Sequence, residues 1–355
     1  MQSNLMYVGS YTKSSPSNGI NLFRREPSTG KLERVDEFEL VNPSWLAFSP
    51  DKRFLFAVAE TMEYQGKVGG GVASFAIDQT TGALTRLSEQ PTEGGAPCHL
   101  TTDPSGKFLF VANHEHGNVS MLPIADDGTL SPGSHLVQHE GSGPGPTQES
   151  PHAHCTVFDP SGERLMVVDK GIDKVMIYHV DASGQKMVPA EPAYAPVHSG
   201  AAPRHIAFHP TGSFAYVNGE ADMTITAFSY DGAGRLDEIH HLTTLPEGAD
   251  REGVSTAGIV VHPSGRFVYV SNRGHDSIAK FAIDPTDGSL TSVGFVPSGG
   301  KVPRAFTIDP EGAYMYVGNQ ESNEIVTLRI DPENGDLEPT GDVTTCGAPV
   351  AFLFT

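Results

Sequence analysis

Two histidines two residues apart, His152 and His154, open an apolar run that ends at Phe158. On an extended strand, residues i and i+2 share a face, so both imidazoles can reach one site. A neutral imidazole there can take a proton from water or from a substrate carbon. Arg204, Arg273 and Arg304 each flank a short apolar run. Their planar guanidinium forks suit a carboxylate or a phosphate bidentately. Glu220 can hold an imidazole tautomer, pair with an arginine, or act as the base itself. These residue types predict a site for a small anionic substrate, provided the fold brings together side chains spread over 150 residues of chain.

A repeat supplies that fold. The turn Asp159-Pro160-Ser161-Gly162 returns as Ser49-Pro50-Asp51-Lys52, Asp103-Pro104-Ser105-Gly106, His209-Pro210-Thr211-Gly212, His262-Pro263-Ser264-Gly265 and Asp309-Pro310-Glu311-Gly312. Proline presets φ at the second turn position and glycine suits the fourth. Each turn joins two short apolar strands, and a later turn of the form Gly-x-Leu follows, marked by Gly82, Gly128, Gly184, Gly234, Gly288 and Gly335. The residue six before each turn proline gives the register Ser44, Cys98, His154, Arg204, Ala257 and Arg304, and Val350 extends it, with spacings of 46 to 56 residues. A seventh copy is split: its first strand lies after Val350, and the rest lies in the N-terminal 43 residues. A unit of four strands at this period, completed across the termini, predicts an all-β fold. The expected architecture is one seven-bladed β-propeller domain over residues 1–355, with four-stranded antiparallel blades, closed by pairing of the N- and C-terminal strands. Two separate β-sandwiches would leave the split repeat unexplained.

In a propeller the first strand of each repeat lines the channel and its hairpin partner runs back beside it. The start of the first and the end of the second therefore share one rim. The register residues form an inner ring there. Tyr11, Glu60, His114, Lys170, Glu220, Arg273 and Gln320 form a second ring, each but Tyr11 eight residues past the last residue of its turn. Deeper positions of the inner strand, such as Leu46, Leu100 and Ile206, are apolar. Chemistry is thus expected at one mouth, with His154, Arg204, Glu220 and Arg273 as catalytic candidates. His152, Arg304, Gln320, His114 and Lys170 are the binding candidates. His179, His198, His240 and His241 read as structural histidines, and His209 and His262 as turn residues.

Composition narrows the partners. The chain of 355 residues carries a net charge of −20, with 19% charged and 38% hydrophobic residues, enough for a sizeable core. Nucleic acid and anionic membranes demand surplus Lys and Arg, so neither is expected as a partner. No apolar run reaches the roughly 20 residues of a membrane span, and the N-terminus lacks a signal-peptide pattern, which predicts a cytoplasmic protein. A monomer or a weak homo-oligomer is expected. Cys98, Cys155 and Cys346 are an odd set without CxxC spacing, which disfavours a disulfide framework and a zinc knuckle. There is no P-loop, no Gly-x-Ser-x-Gly elbow and no HExxH. Glu60 and Glu220 with Asn272 or Asn319 could offer oxygens to calcium, but the neighbouring arginines would repel a cation. No metal or cofactor is expected.

At these residues the chain resembles the lactonase family of seven-bladed propellers, which includes propeller-type bacterial 6-phosphogluconolactonases and fungal carboxy-cis,cis-muconate cyclases. The resemblance covers the whole chain. It rests on Pro151-His152-Ala153-His154, Pro203-Arg204-His205, Glu220, the segment from Ser271 to Ile278, Pro303-Arg304-Ala305-Phe306, and Asn319-Gln320. It implies His154, Arg204, Glu220 and Arg273 as active-site residues, with metal-independent opening of 6-phospho-D-glucono-1,5-lactone as the expected reaction. The alternatives are a cyclase-like lactone-forming or lactone-opening enzyme and a non-catalytic propeller that binds a small anion. Gly219 stands where the family more often has Asn, and Lys170 where Leu is commoner.

Overall fold

Seven four-stranded antiparallel sheets make up this fold, seen in a computed structural model that describes residues 4–13 and 15–355. The inner strands of blades one to six are Leu46–Phe48, Pro97–Thr102, Ala153–Phe158, Pro203–Phe208, Ser255–Val261 and Pro303–Ile308. Blade seven takes its inner strand, Pro349–Phe354, from the C-terminus, and Leu5–Ser10, Gly19–Arg25 and Leu32–Glu39 from the N-terminal part of the chain. Each inner strand touches the next, and that of blade seven meets that of blade one, which closes the ring. Pairing of Met6 with Phe354 and of Val8 with Phe352 fastens the closure as the split repeat predicts.

The second strand of every blade is buried along nearly its whole length. Phe54–Ala59, Phe108–Asn113 and Tyr314–Asn319 are buried at every residue, because neighbouring blades cover both faces, and they are correspondingly apolar on both faces. Outer strands such as Leu32–Glu39 are largely exposed and polar. Among the described residues, the core divides into seven apolar clusters, each spanning two adjacent blades.

A latch between blades explains the Gly-x-Leu turn. In every blade but the second, the first residue of the second strand packs on the glycine of the next blade. An added Cβ would lie 2.4 Å from Phe54 at Gly128, 2.3 Å from Phe214 at Gly288 and 2.6 Å from Phe267 at Gly335. Two residues on, a tyrosine hydroxyl donates to the same glycine's carbonyl: Tyr7 to Gly82 at 2.6 Å, Tyr269 to Gly335 at 2.7 Å and Tyr316 to Gly30 at 2.9 Å. Phe56, Phe110 and Met166 hold that strand position in blades one to three and cannot donate. His209 and His262 reinforce the same rim, since each Nε2 meets the carbonyl of the next blade's turn glycine, at 2.8 and 2.9 Å.

Tyr269→Phe removes one buried hydrogen bond and is expected to cost about 1 kcal/mol. Gly335→Ala meets both a ring and a φ of +73° and should cost about 2 kcal/mol or more. Urea unfolding of the two variants side by side measures the difference.

Candidate active site

The inner strands do not alternate regularly at the mouth. Their pairing with the second strand slips by one residue at Cys98, His154, Arg204 and Arg304, where each flanking residue keeps a partner and the residue between has none. Such a β-bulge re-aims side chains, so two consecutive residues can face the channel. Arg204 with His205, and Arg304 with Ala305, accordingly line the same cavity. Two residues before the bulge, Ala96, Ala202 and Val302 adopt φ of +50°, +50° and +59°. This conformation is costly for residues with a Cβ. It aims their carbonyls at the second ring: Ala96 accepts the N–H of His114 at 3.1 Å, Ala202 that of Glu220 at 3.0 Å and Val302 that of Gln320 at 2.9 Å. The two rings are thereby fixed to each other through the backbone.

Glu220 gathers three cations. Its Oε1 accepts from Lys170 Nζ at 2.6 Å, while its Oε2 lies 3.0 Å from Arg204 Nε and 3.2 Å from Arg273 Nη2. Side-chain exposure runs from 19% at Glu220 and 17% at Arg273 to 4% at Arg204, so the cluster leads inward from the mouth. Arg204 also donates to the carbonyl of Ala257 at 2.6 Å, and Arg273 to that of Thr256 at 3.1 Å. Burial opposes ionisation of Glu220, but Lys170, Arg273 and Arg204 outweigh it and hold the carboxyl far below the usual carboxylate range. Burial and the neighbouring Arg304 bring the Arg204 guanidinium down to about 9.

On the other side, Arg304 lies over the ring of Tyr11 at 5.1 Å, and the Tyr11 hydroxyl bonds Glu60 at 3.0 Å. No hydrogen bond or ion pair to the Arg304 guanidinium occurs among the described residues. His154 is buried, and its Nδ1 has no protein partner. Its ring packs against His114 at 5.5 Å and His205 at 5.2 Å, and His114 stacks on His152 at 4.8 Å. Burial and the cations around it keep the His154 imidazole neutral far below its ordinary range, and burial with Lys170 brings His114 down to about 3.

The mouth therefore brings together His114, His152, His154, Lys170, Arg204, Glu220, Arg273 and Arg304. Gln320 is held by its backbone and makes no side-chain bond among the described residues. Glu220 is spent on cations and touches no imidazole through a hydrogen bond, so of its three possible roles the structure selects pairing with arginine. Lys170, placed by register alone in the sequence, is the shortest of the three contacts to Glu220. Of the oxygens weighed for calcium, those of Glu220 are engaged by cations, and Asn272 is bonded to Thr244 and Ser277.

The position after each bulge holds what the sequence reading missed. It carries Trp45, His99 and His205 in three blades and Gly258, Ala305 and Ala351 in three others. Trp45 stacks on His99 at 3.9 Å and meets His205 at 5.2 Å. These rings fill one half of the channel, and the small residues leave a cavity of about 70 Å³ in the other, with Arg204, Arg304, Cys98 and Ser44 in its wall. That is room for a few waters.

A family model described as Lactonase, 7-bladed beta-propeller matches residues 5–354. A Bacillus subtilis protein named 6-phosphogluconolactonase is 37% identical over 302 residues, 84% of this chain and 83% of the relative. A Formosa agariphila protein of the same name is 32% identical over 308 residues, 85% of this chain and 86% of the relative. The crystal structure of a putative 6-phosphogluconolactonase from Bacteroides fragilis superposes with a TM-score of 0.92 at 34% identity, covering 100% of this chain and 98% of that one. The Pseudomonas aeruginosa periplasmic gluconolactonase superposes with a TM-score of 0.94 at 32% identity, covering 99% of each.

Four imidazoles, those of His99, His114, His154 and His205, are held neutral in the fold, chiefly by burial. Unfolded, each takes a proton below about pH 6.5. The unfolded state then binds more protons, so stability is full above that pH and falls as the pH drops. The slope should approach ~5 kcal/mol per pH unit near pH 5, as measured by denaturation between pH 5 and 7.5. Glu220→Gln leaves three cations without their counter-ion and is expected to cost about 3 to 5 kcal/mol. Adding Lys170→Met should return part of that loss in the same assay.

Proposed function

Since the chain belongs to the seven-bladed β-propeller lactonase family, we propose that it hydrolyses 6-phospho-D-glucono-1,5-lactone to 6-phosphogluconate, a cytoplasmic step of the pentose phosphate pathway. The observation that carries the choice of a phosphorylated substrate is the charge at the mouth. Among the described residues, Lys170, Arg204, Arg273 and Arg304 face the carboxylates of Glu220 and Glu60 there, in a protein whose net charge is −20. A local positive field in an acidic protein draws in and holds an anion. The Arg304 fork, spent on no carboxylate, is the natural seat for the phosphate.

In this reading the lactone carbonyl lies towards Arg204 and Arg273, whose Nη2 and Nη1 respectively make no bond among the described residues. His154, kept neutral by burial and the cations around it, takes a proton from water as the oxygen attacks C1. The arginines stabilise the oxyanion, a role worth about 3 to 4 kcal/mol per donor in other enzymes. The proton passes from the imidazole to the ring oxygen as the C1–O5 bond breaks, leaving a hydroxyl at C5 and a carboxylic acid at C1, which then loses its proton to solvent. Glu220 acts on the arginines and not on water, because both of its oxygens are taken up by Lys170, Arg204 and Arg273.

His154→Ala is expected to lower kcat by about 10²- to 10⁴-fold, above the lactone's spontaneous hydrolysis. Arg304→Ala should raise KM for the phosphorylated lactone at least tenfold while leaving the unphosphorylated lactone nearly unchanged. Equal losses on both lactones would place the phosphate elsewhere. Turnover of a muconolactone in preference to either would favour cyclase-like chemistry.

A further inference from the structure

We propose that the outer rim of blade four carries a site for a first-row divalent metal of the zinc class, built from His198, Glu238 and His241. One ring nitrogen of each histidine and a carboxylate oxygen of Glu238 lie within 4.8 Å of one another. The site is separate from the channel-mouth cluster and uses none of its residues.

Its geometry comes from a second bulge. The outer strand of blade four, Leu236–Thr243, slips against its neighbour so that Ala227 pairs with His240 and Phe228 with Glu238, leaving Ile239 without a partner. Residues three apart on a regular strand face opposite sides. The extra residue turns Glu238 and His241 to the same side, and Glu238 Oε1 stands 2.9 Å from His241 Nδ1. The same bulge recurs in blades seven and one, where it joins Arg34 with Glu37 and Arg86 with Glu89. Those copies are plain ion pairs. Blade four has no permanent cation in the pair, and adds His198 from the segment before its inner strand.

His198 is held in the manner of a ligand. Its ring stacks on His241 at 4.1 Å, and its Nε2 meets Asp222 Oδ2 at 2.6 Å. A carboxylate on one side of an imidazole fixes its tautomer and raises its basicity, the usual arrangement behind a metal-binding histidine. Two imidazoles and one carboxylate form a nitrogen–oxygen set suited to zinc, whereas magnesium and calcium prefer oxygen alone. All three ligand side chains are open enough for solvent to complete the coordination.

Titration of the metal-free protein with zinc chloride in a calorimeter tests the proposal. One equivalent should bind with micromolar affinity, and magnesium chloride should not compete. His198→Ala or His241→Ala should weaken binding at least tenfold, and Asp222→Asn about tenfold to a hundredfold. Cobalt substitution should give visible d–d bands that His241→Ala abolishes. His241→Ala, exposed and remote from the mouth cluster, should keep its circular dichroism spectrum and its lactone turnover. Absence of saturable binding near one equivalent, or unchanged affinity in folded His241→Ala, overturns the site.

Discussion

A regular strand can offer a channel only every second side chain. The chemistry of this molecule depends on breaking that rule at the same position in blade after blade. The bulges at His154, Arg204 and Arg304 let an arginine or imidazole stand at the mouth while the next residue fills or empties the channel beneath it. The cost is visible in the backbone. Each bulge gives up a ladder partner, and Ala202 and Val302 sit where a Cβ is crowded. Strain of this kind, of order 1 to 3 kcal/mol per residue, persists only where the surroundings over-determine it. Here the second ring supplies that restraint, through the N–H groups of Glu220 and Gln320 on the strained carbonyls.

Once the side chains converge, their charges must be reconciled. Lys170, Arg204 and Arg273 around one point would repel each other strongly in a half-buried site. Glu220 makes the arrangement tolerable and also fixes it, since one carboxylate held by three donors has little freedom to turn. The same field has a second effect. Arg204 and Lys170 add to burial in keeping His154 uncharged, so the imidazole stands unprotonated beside the cations. A cluster of cations and a neutral imidazole beside it are thus two results of one arrangement.

The repeat made the ring legible. Turn prolines and glycines at fixed offsets, with a seventh copy divided between the termini, point to the blade count and the closure that the structure shows. They also point to the mouth, because a register shared by seven blades converts spacing in sequence into position on a rim. Lys170 illustrates the strength of that reasoning: nothing but register put it near Glu220, and it lies 2.6 Å away. What register could not supply was the bulge. Period-two alternation puts His205 on the opposite face from Arg204 and hides the row formed by Trp45, His99 and His205. The same blind spot separates Glu238 from His241. The signal was nonetheless present, since Trp45, His99 and His205 all stand one place after the register mark.

Seven similar blades could have made a symmetric pore, and a symmetric pore would suit an ion on its axis better than a lactone. The position after the bulge prevents this. Blades one, two and four place aromatic and imidazole rings there, and blades five, six and seven place Gly258, Ala305 and Ala351. The channel is filled on one side and open on the other, so the cavity that remains lies off-centre, against Arg204 and Arg304. The imidazoles of His114, His152 and His154 then lie on the filled side, and the Arg304 fork on the open one. The mouth therefore presents a different surface on each side, as an asymmetric molecule such as a lactone requires. The polarity that the reaction needs thus arises in a near-symmetric ring from side-chain size at a single repeat position.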